Sequence, residues 1–260
     1  MLEALLNTWR HWDLIASFAV RDIKARYKQT ALGVAWALLQ PLSMMVVFTL
    51  VFSVFAKVPS DGIPYPVFAY SALIFWTYFS NTISTGTVAM TANGALIRKI
   101  YFPRETLLLS VILAGLLDLA VASLLFCGMI LYYKISLTLS VLWVLPLVAL
   151  QMLLALGVVS LTSAAHVNFR DIGHALPLVL QLWMFATPVA YPISVIPEWL
   201  RAVYLLNPMA PVIDGYRRAI ILGVHPDLGA LALSAAVTVV LAAAGLSIFK
   251  RAERTFADVI

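Results

Sequence analysis

The sequence is poor in charged residues and contains a single cysteine. Charged residues make up 11% of the 260 residues and hydrophobic residues 63%, whereas soluble domains have about 25% and about 45–50%. A soluble protein of this length could not cover its apolar surface with this number of charged residues. Lipid must therefore be part of its solvent. Cys127 alone excludes an intrachain disulfide framework and a thiolate metal cluster. The first thirty residues are charged and interrupted, so we expect no cleavable signal peptide.

Motifs for enzymatic chemistry are also missing from the sequence. None of the 12 glycines precedes a lysine, which excludes a Gly-Lys-Ser/Thr nucleotide-binding loop. Metal-binding His or Cys pairs are absent, as are the paired carboxylates of a metal-dependent transferase. His166 and His174 flank a loop without a third ligand nearby, which favours solvated histidines. We therefore expect a transport protein rather than an enzyme, with no metal site, driven by another chain or by an ion gradient.

Long apolar runs predict an all-α integral membrane protein with six transmembrane helices. The runs occupy 31–56, 66–90, 106–133, 135–165, 175–190 and 228–249. Most can cross about 30 Å of hydrocarbon at about 1.5 Å per residue, although the fifth reaches only about 24 Å. Without an internal repeat or a low-complexity linker, the chain is expected to be a single domain over 1–260.

The first 29 residues predict an amphipathic helix at the membrane interface. Apolar residues share one helical face and basic residues follow them: Leu2, Leu5, Leu6, Trp9, then Arg21, Lys24, Arg26 and Lys28. Six spans put both termini on one side of the membrane. Most of the 17 lysines and arginines fall on that side, so it is predicted to be cytoplasmic.

The segment 191–223 predicts a re-entrant hairpin between spans five and six, near the extracytoplasmic face. Four prolines interrupt it, and irregular backbone at membrane depth is tolerated only inside protein or beside a cavity. It also contains Arg201, Arg217 and Arg218. These guanidinium groups either contact the pyrophosphate or acidic groups of a substrate, or pair with Glu198 and Asp214.

Two polar features lie inside the predicted spans. Ser80, Ser84, Thr87 and Thr91 form one helical stripe of span two, which should face protein or water. Asp118 lies near the middle of span three, where exposure to lipid would cost roughly 2.5–3.5 kcal/mol. We expect its side chain to face the interior, either neutral or hydrogen-bonded to hydroxyls such as those of the stripe, and to position helices.

Six segments carry a family resemblance. They are RDIKARYKQ (21–29), LGVAWALLQP (32–41), LIRKIYFPR (96–104), NFRDI (168–172), TPVAYP (187–192) and LNPM (206–209). In this order they resemble the ABC-2 type permeases of bacterial polysaccharide export, which include O-antigen, capsule and teichoic-acid exporters. The resemblance covers nearly the whole chain.

The resemblance implies the rest of the transporter. Two permease copies would enclose a channel in the bacterial cytoplasmic (inner) membrane, and two copies of a separate ATPase would bind ATP and Mg on the cytoplasmic side. The substrate would be an O-antigen-like polysaccharide on undecaprenyl pyrophosphate, with no cofactor in this chain and no nucleic acid partner. Alternatives are a teichoic-acid or capsule exporter, a membrane enzyme of glycan assembly, and an ion-coupled transporter.

Two groups of candidate site residues follow. The loop 93–105 should contain a coupling helix that sits in a cleft of the ATPase, through Leu96, Ile97, Arg98, Lys99 and Tyr101; alternatively, its basic residues only orient the protein. The candidate channel lining combines aromatic and polar side chains that bind sugar rings weakly. It comprises Trp183, Thr187 and Tyr191 as one stripe of span five, and Trp36 and Gln40 on span one; helix packing and interfacial anchoring are the alternatives.

Overall fold

The computed structural model describes residues 11–28, 30 and 32–256, and this part of the chain is helical, with turns and loops but no strand. The all-α prediction is therefore confirmed for the described residues. Leu2, Leu5, Leu6 and Trp9 lie outside them.

The helices differ widely in length. In chain order they are α1 (Trp12–Tyr27), α2 (Gly33–Phe55), α3 (Tyr65–Ala92), α4 (Gly94–Lys99), α5 (Glu105–Tyr132), α6 (Leu139–Asn168), α7 (Asp171–Phe185), α8 (Glu198–Tyr204), α9 (Met209–Arg217) and α10 (Leu228–Ala252). Of these, α2, α5, α6 and α10 are long and apolar enough to cross a membrane. The chain is thus a membrane-embedded helical protein.

The remaining two predicted spans look different from these four. At 28 residues, α3 has the length to cross, about 42 Å, but it is more polar. At 15 residues, α7 covers only about 22 Å. The fifth span was predicted to continue to residue 190, which is wrong because α7 ends at Phe185. Pro188 explains the early end, since a proline disfavours helical backbone in the residue before it.

The most polar of the long helices, α3, is also the most enclosed. It packs against α2, α5, α6, α7 and α9, and most of its residues are buried. Ser80, Ser84 and Thr87 of the predicted stripe therefore face protein or a cavity, whereas Thr91 at its end is half-buried and forms a hydrogen bond within its own helix. By contrast, only 11% of the most apolar window of α2 is buried within this chain.

The closest helix pair, α6 and α10, meets through glycines. A Cβ atom built on Gly245 would lie 2.3 Å from the carbonyl oxygen of Gly157. Small residues let helix backbones approach this closely, which favours packing in lipid where no hydrophobic effect drives association.

The segment 191–223 lies at the end of the bundle where α3 begins, opposite α4. Ser194 donates a hydrogen bond of 2.9 Å to Asp61, and Tyr65 donates one of 2.8 Å to the carbonyl of Ala190. Its two α-helices, α8 and α9, have 7 and 9 residues. Even with the π-helix Arg218–Leu222 that continues α9, neither is long enough to cross a bilayer.

Candidate transport groove

A groove that combines polar and apolar side chains lies between α1, α2, α3 and α5. It forms a cavity of about 360 Å³ whose walls combine charged, amide, hydroxyl and aromatic side chains, among them Arg26, Tyr27, Trp36, Gln40, Asn81, Thr82 and Asp118. Asp118 lies 13 residues into α5, about 20 Å from its first residue, so the groove reaches the depth of the apolar spans. Thr82 has a buried hydroxyl without a hydrogen-bond partner in the described part of the chain.

Asp118 forms part of the groove wall and links α5 to α1. Both Arg26 and Tyr27 of α1 donate hydrogen bonds to its carboxylate. Burial, with the hydrogen bond to Asp118, raises the pKa of Tyr27 to about 12, so the phenol stays protonated and can donate. The prediction that Asp118 faces the interior is confirmed, but the proposed pairing with the hydroxyl stripe of α3 is wrong. The basic helix α1 reaches the carboxylate instead and supplies a cation.

Gln40 joins this cavity to a second one of similar volume, about 360 Å³. Its amide oxygen accepts a hydrogen bond of 3.3 Å from Asn81. The second cavity lies between α2, α3 and α7, and Ser80 and Ser84 of the predicted stripe line it. Thr87 instead turns inward and bonds to Thr162 on α6 at 2.6 Å. Neutral hydrogen-bonding groups of α2 and α3 therefore line both cavities, among apolar side chains.

The predicted lining residues separate into two sets. Trp36 and Gln40 are exposed and line the groove. The single helical stripe of Trp183, Thr187 and Tyr191 is wrong, because α7 ends before the last two. Thr187 is fully buried and reaches no surface.

Trp183 is held by packing and by one amide. Its ring lies edge-on to Phe79 and Trp76, at centroid distances of 5.3 and 6.2 Å. Its indole N–H donates to the side chain of Asn207 at 2.9 Å, and the same amide donates to Thr187 at 2.9 Å. Asn207 therefore ties the end of α7 to the segment before α9, which sequence reasoning missed. The signal was present, because the TPVAYP and LNPM segments both carried the family resemblance.

The three arginines of segment 191–223 have three different environments. Arg201 is exposed on α8, and Arg218 donates to the carbonyl of His225 at 3.1 Å. Arg217 is only 3% exposed, and its guanidinium lies 3.6 Å from the centre of the Phe68 ring. It donates to the carbonyls of Pro188 and Val189.

Both expectations for Arg217 are therefore wrong. Full burial keeps it from an external substrate, and the ion pairs found among the described residues do not include it. Instead, its planar fork of donors satisfies backbone carbonyls in the turn after α7, which have no helical partner there.

The predicted coupling residues lie on and just after the short helix α4. Arg98 and Lys99 are exposed, Leu96 is half-buried, and Tyr101 is 98% exposed. Ile97 is 5% exposed and belongs to the hydrophobic core, so it is not available to another protein. Tyr101 is thus the apolar group best placed for an external contact.

The described residues contain no group of three or more His, Cys, Asp or Glu side chains that could hold a metal ion. The groove offers weak hydrogen bonds and aromatic faces, and its one ion pair is satisfied within the chain. Such a surface can contact hydroxyl-rich molecules along its length.

These features define a helical membrane protein with a groove of polar and apolar side chains at membrane depth. The chain matches the ABC-2 type transporter family over residues 13–221, and it belongs to that family. It is 33% identical to the O-antigen export system permease protein RfbA of Myxococcus xanthus, with 100% of both chains covered. It is 28% identical to an RfbA of Klebsiella pneumoniae, covering 96% of this chain and 95% of the relative. The polysialic acid transport protein KpsM of Escherichia coli is 24% identical, covering 92% and 93%.

Proposed function

We propose that this chain is the permease subunit of an ATP-driven exporter that moves an O-antigen-like polysaccharide, linked to undecaprenyl pyrophosphate, across the bacterial cytoplasmic membrane. Full-length similarity to O-antigen export permeases supports the substrate class. The observation that carries the proposal is the groove of hydroxyl, amide and aromatic side chains at membrane depth.

The chemistry of the groove suits a sliding polymer. Trp36 offers a flat face to the apolar side of a sugar ring, and Gln40 and Asn81 exchange hydrogen bonds with hydroxyl groups. Neutral contacts of this kind are individually weak, which favours movement over trapping. We propose Trp36 and Gln40 as lining residues of the path and assign Trp183, Thr187 and Tyr191 to its supporting wall.

A second copy of the chain would complete the path. Although α2 is apolar, it leaves most of its surface uncovered and carries Trp36, Gln40 and Ser43 on an exposed face. Polar side chains in a span avoid lipid and face protein or a water-filled cavity. A homodimer with the two α2 helices near its axis satisfies this requirement and closes the groove into a channel.

Energy would come from two copies of a cytoplasmic ATPase that bind ATP and Mg. Arg98, Lys99 and Tyr101 form the proposed docking surface on α4, with Leu96 beside them, while Ile97 anchors this helix to its own chain. In this arrangement the single domain has six spans, both termini are cytoplasmic, and 191–223 is the re-entrant segment at the opposite face. The exposed Arg201 remains a candidate contact for anionic groups of the leaving substrate, and the half-buried Arg218 a weaker one.

A capsule polymer is the second candidate substrate, because the chain also resembles a polysialic acid transport protein over 92% of its length. Removing the permease from its host and analysing the glycans tests both. We expect the surface polymer to be lost and its lipid-linked form to remain on the cytoplasmic side, and the composition of that polymer tells O-antigen from capsule or teichoic acid. If no polymer is assembled, the chain is an enzyme of glycan assembly; unchanged surface polymer contradicts export.

A further inference from the structure

The C-terminal end of α10 contacts Arg104 and Glu105, the two residues that connect the α4 segment to α5. Glu105 is the first residue of α5 and is 4% exposed. The Lys250 ammonium contacts its carboxylate and also lies 3.1 Å from that of Glu253. Lys250 thus joins α5 to α10 and to the turn that follows α10.

Arg104 makes the second half of this contact. Its guanidinium donates a hydrogen bond to the backbone carbonyl of Glu253 and lies 5.9 Å from the centre of the Phe256 ring. Phe256 is fully buried and packs edge-on against Phe249 of α10, with 5.4 Å between the ring centres. We call Arg104, Glu105, Lys250, Glu253 and Phe256 the C-terminal clamp.

Separating the clamp is costly because it contains a buried carboxylate. One oxygen of Glu105 contacts Lys250, and the other has no hydrogen-bond partner within the described ranges. Without Lys250 the charge would be left buried and unpaired, which costs far more than the pair itself gains. Residues 104–105 and the end of α10 are therefore expected to move together.

We propose that the C-terminal clamp transmits movement of α4 to α10, which makes its residues positioning residues for coupling. From α10 the contact continues through Gly245 and Gly157 to α6, and from α6 to α3, which forms a wall of the groove. This rests on the proposed function, in which the ATPase docks on α4. The C-terminal segment is then part of the route from ATP hydrolysis to the groove rather than a simple membrane stop.

Transport by the complete complex in vesicles tests the role of the clamp. Lys250→Ala should lower the amount of polymer moved per ATP hydrolysed by about tenfold, the scale of one unsatisfied buried group. Phe256→Ala, which removes the ring beside Arg104, should lower the same ratio. Arg254→Ala, which changes an exposed neighbour, should leave this ratio unchanged. Lys250→Arg, which keeps a cation between Glu105 and Glu253, should retain most of it. A structural role alone would lower hydrolysis and transport in proportion, and that result would overturn the proposal.

A distance measurement tests the clamp without any polymer. Spin labels at Ala95→Cys on α4 and Arg251→Cys at the end of α10, in a Cys127→Ala background, report the separation of the two elements. In the complex with its ATPase, this distance should stay constant when ATP binds, and it should change once Lys250→Ala is added. A distance that changes with the clamp intact overturns the inference, whereas failure of polymer transport alone contradicts only the proposed function.

Discussion

Arg26 donates a hydrogen bond to Asp118 across 92 positions of the sequence, and this contact ties α1 to the middle of α5. Asp118 is mostly buried, with 16% of its side chain exposed, and Arg26 is 30% exposed. Because the two side chains form an ion pair, the Asp118 carboxylate on this wall of the groove is neutralised by Arg26. On the proposed transport path, a polymer would meet a dipole at that wall rather than a free carboxylate.

The first prediction concerns this pair. Asp118→Leu and Arg26→Leu should each destabilise the protein, because each leaves the partner charge poorly solvated, and the double variant should cost less than the sum of the two. Coupling energies for contacting residues are about 0.5–3 kcal/mol. Thermal unfolding of the purified protein in detergent measures the cycle; strictly additive effects would show that the two side chains do not interact.

The second prediction separates two tryptophans. Trp183→Ala should lower the free energy of unfolding by about 3–5 kcal/mol, since its ring is packed and hydrogen-bonded. Trp36 is 53% exposed in this chain, so Trp36→Ala should change stability little and reduce export at normal permease abundance. Abundance and surface polymer are measured in the same cells. Normal export by Trp36→Ala at normal abundance would remove this residue from the path.

The third prediction uses two glycines as a matched pair. Gly245→Ala should destabilise the protein by about 1–3 kcal/mol, because the new Cβ atom would meet the carbonyl of Gly157. Gly128 on α5 has open space around its Cβ position, so Gly128→Ala serves as the control. The two melting temperatures are compared in detergent. Equal stability of the variants would argue against the close packing of α6 and α10.

The fourth prediction concerns the buried arginine. Arg217→Lys should reduce the amount of folded permease, because one ammonium cannot serve both carbonyls that the guanidinium fork reaches. Arg201→Lys changes an exposed residue and should leave folding intact. Size-exclusion chromatography reports the folded fraction. If Arg217→Lys folds normally but stops export, its role lies in transport and not in the turn after α7.

The fifth prediction distinguishes docking from packing at α4. Tyr101→Ala should weaken co-purification of the ATPase without affecting permease stability, because the side chain is 98% exposed. Ile97→Ala removes a core side chain and should cost about 2–5 kcal/mol of stability. Unchanged ATPase binding by Tyr101→Ala would exclude Tyr101 from the interface.

Local patterns in the sequence determined the class of protein. The scarcity of charge and the long apolar runs require a helical membrane protein, because the hydrogen bonds of a helix are satisfied within the segment itself. A short helix was also predicted correctly in the loop 93–105, since α4 lies at Gly94–Lys99. Six short segments, arranged along the chain in the same order as in the family, were enough to indicate the family.

The partner of each polar or aromatic group was decided by the tertiary structure. Asp118 binds Arg26 rather than the hydroxyl stripe of α3, which is nearer in the sequence. Arg217 binds backbone carbonyls rather than carboxylates, and the Ile97 side chain packs into the hydrophobic core of this chain. Spacing along one helix fixes which residues share a face, but not which element covers that face. The opposing element comes from distant sequence, and its position depends on close contacts such as that between Gly157 and Gly245, which hydropathy does not record.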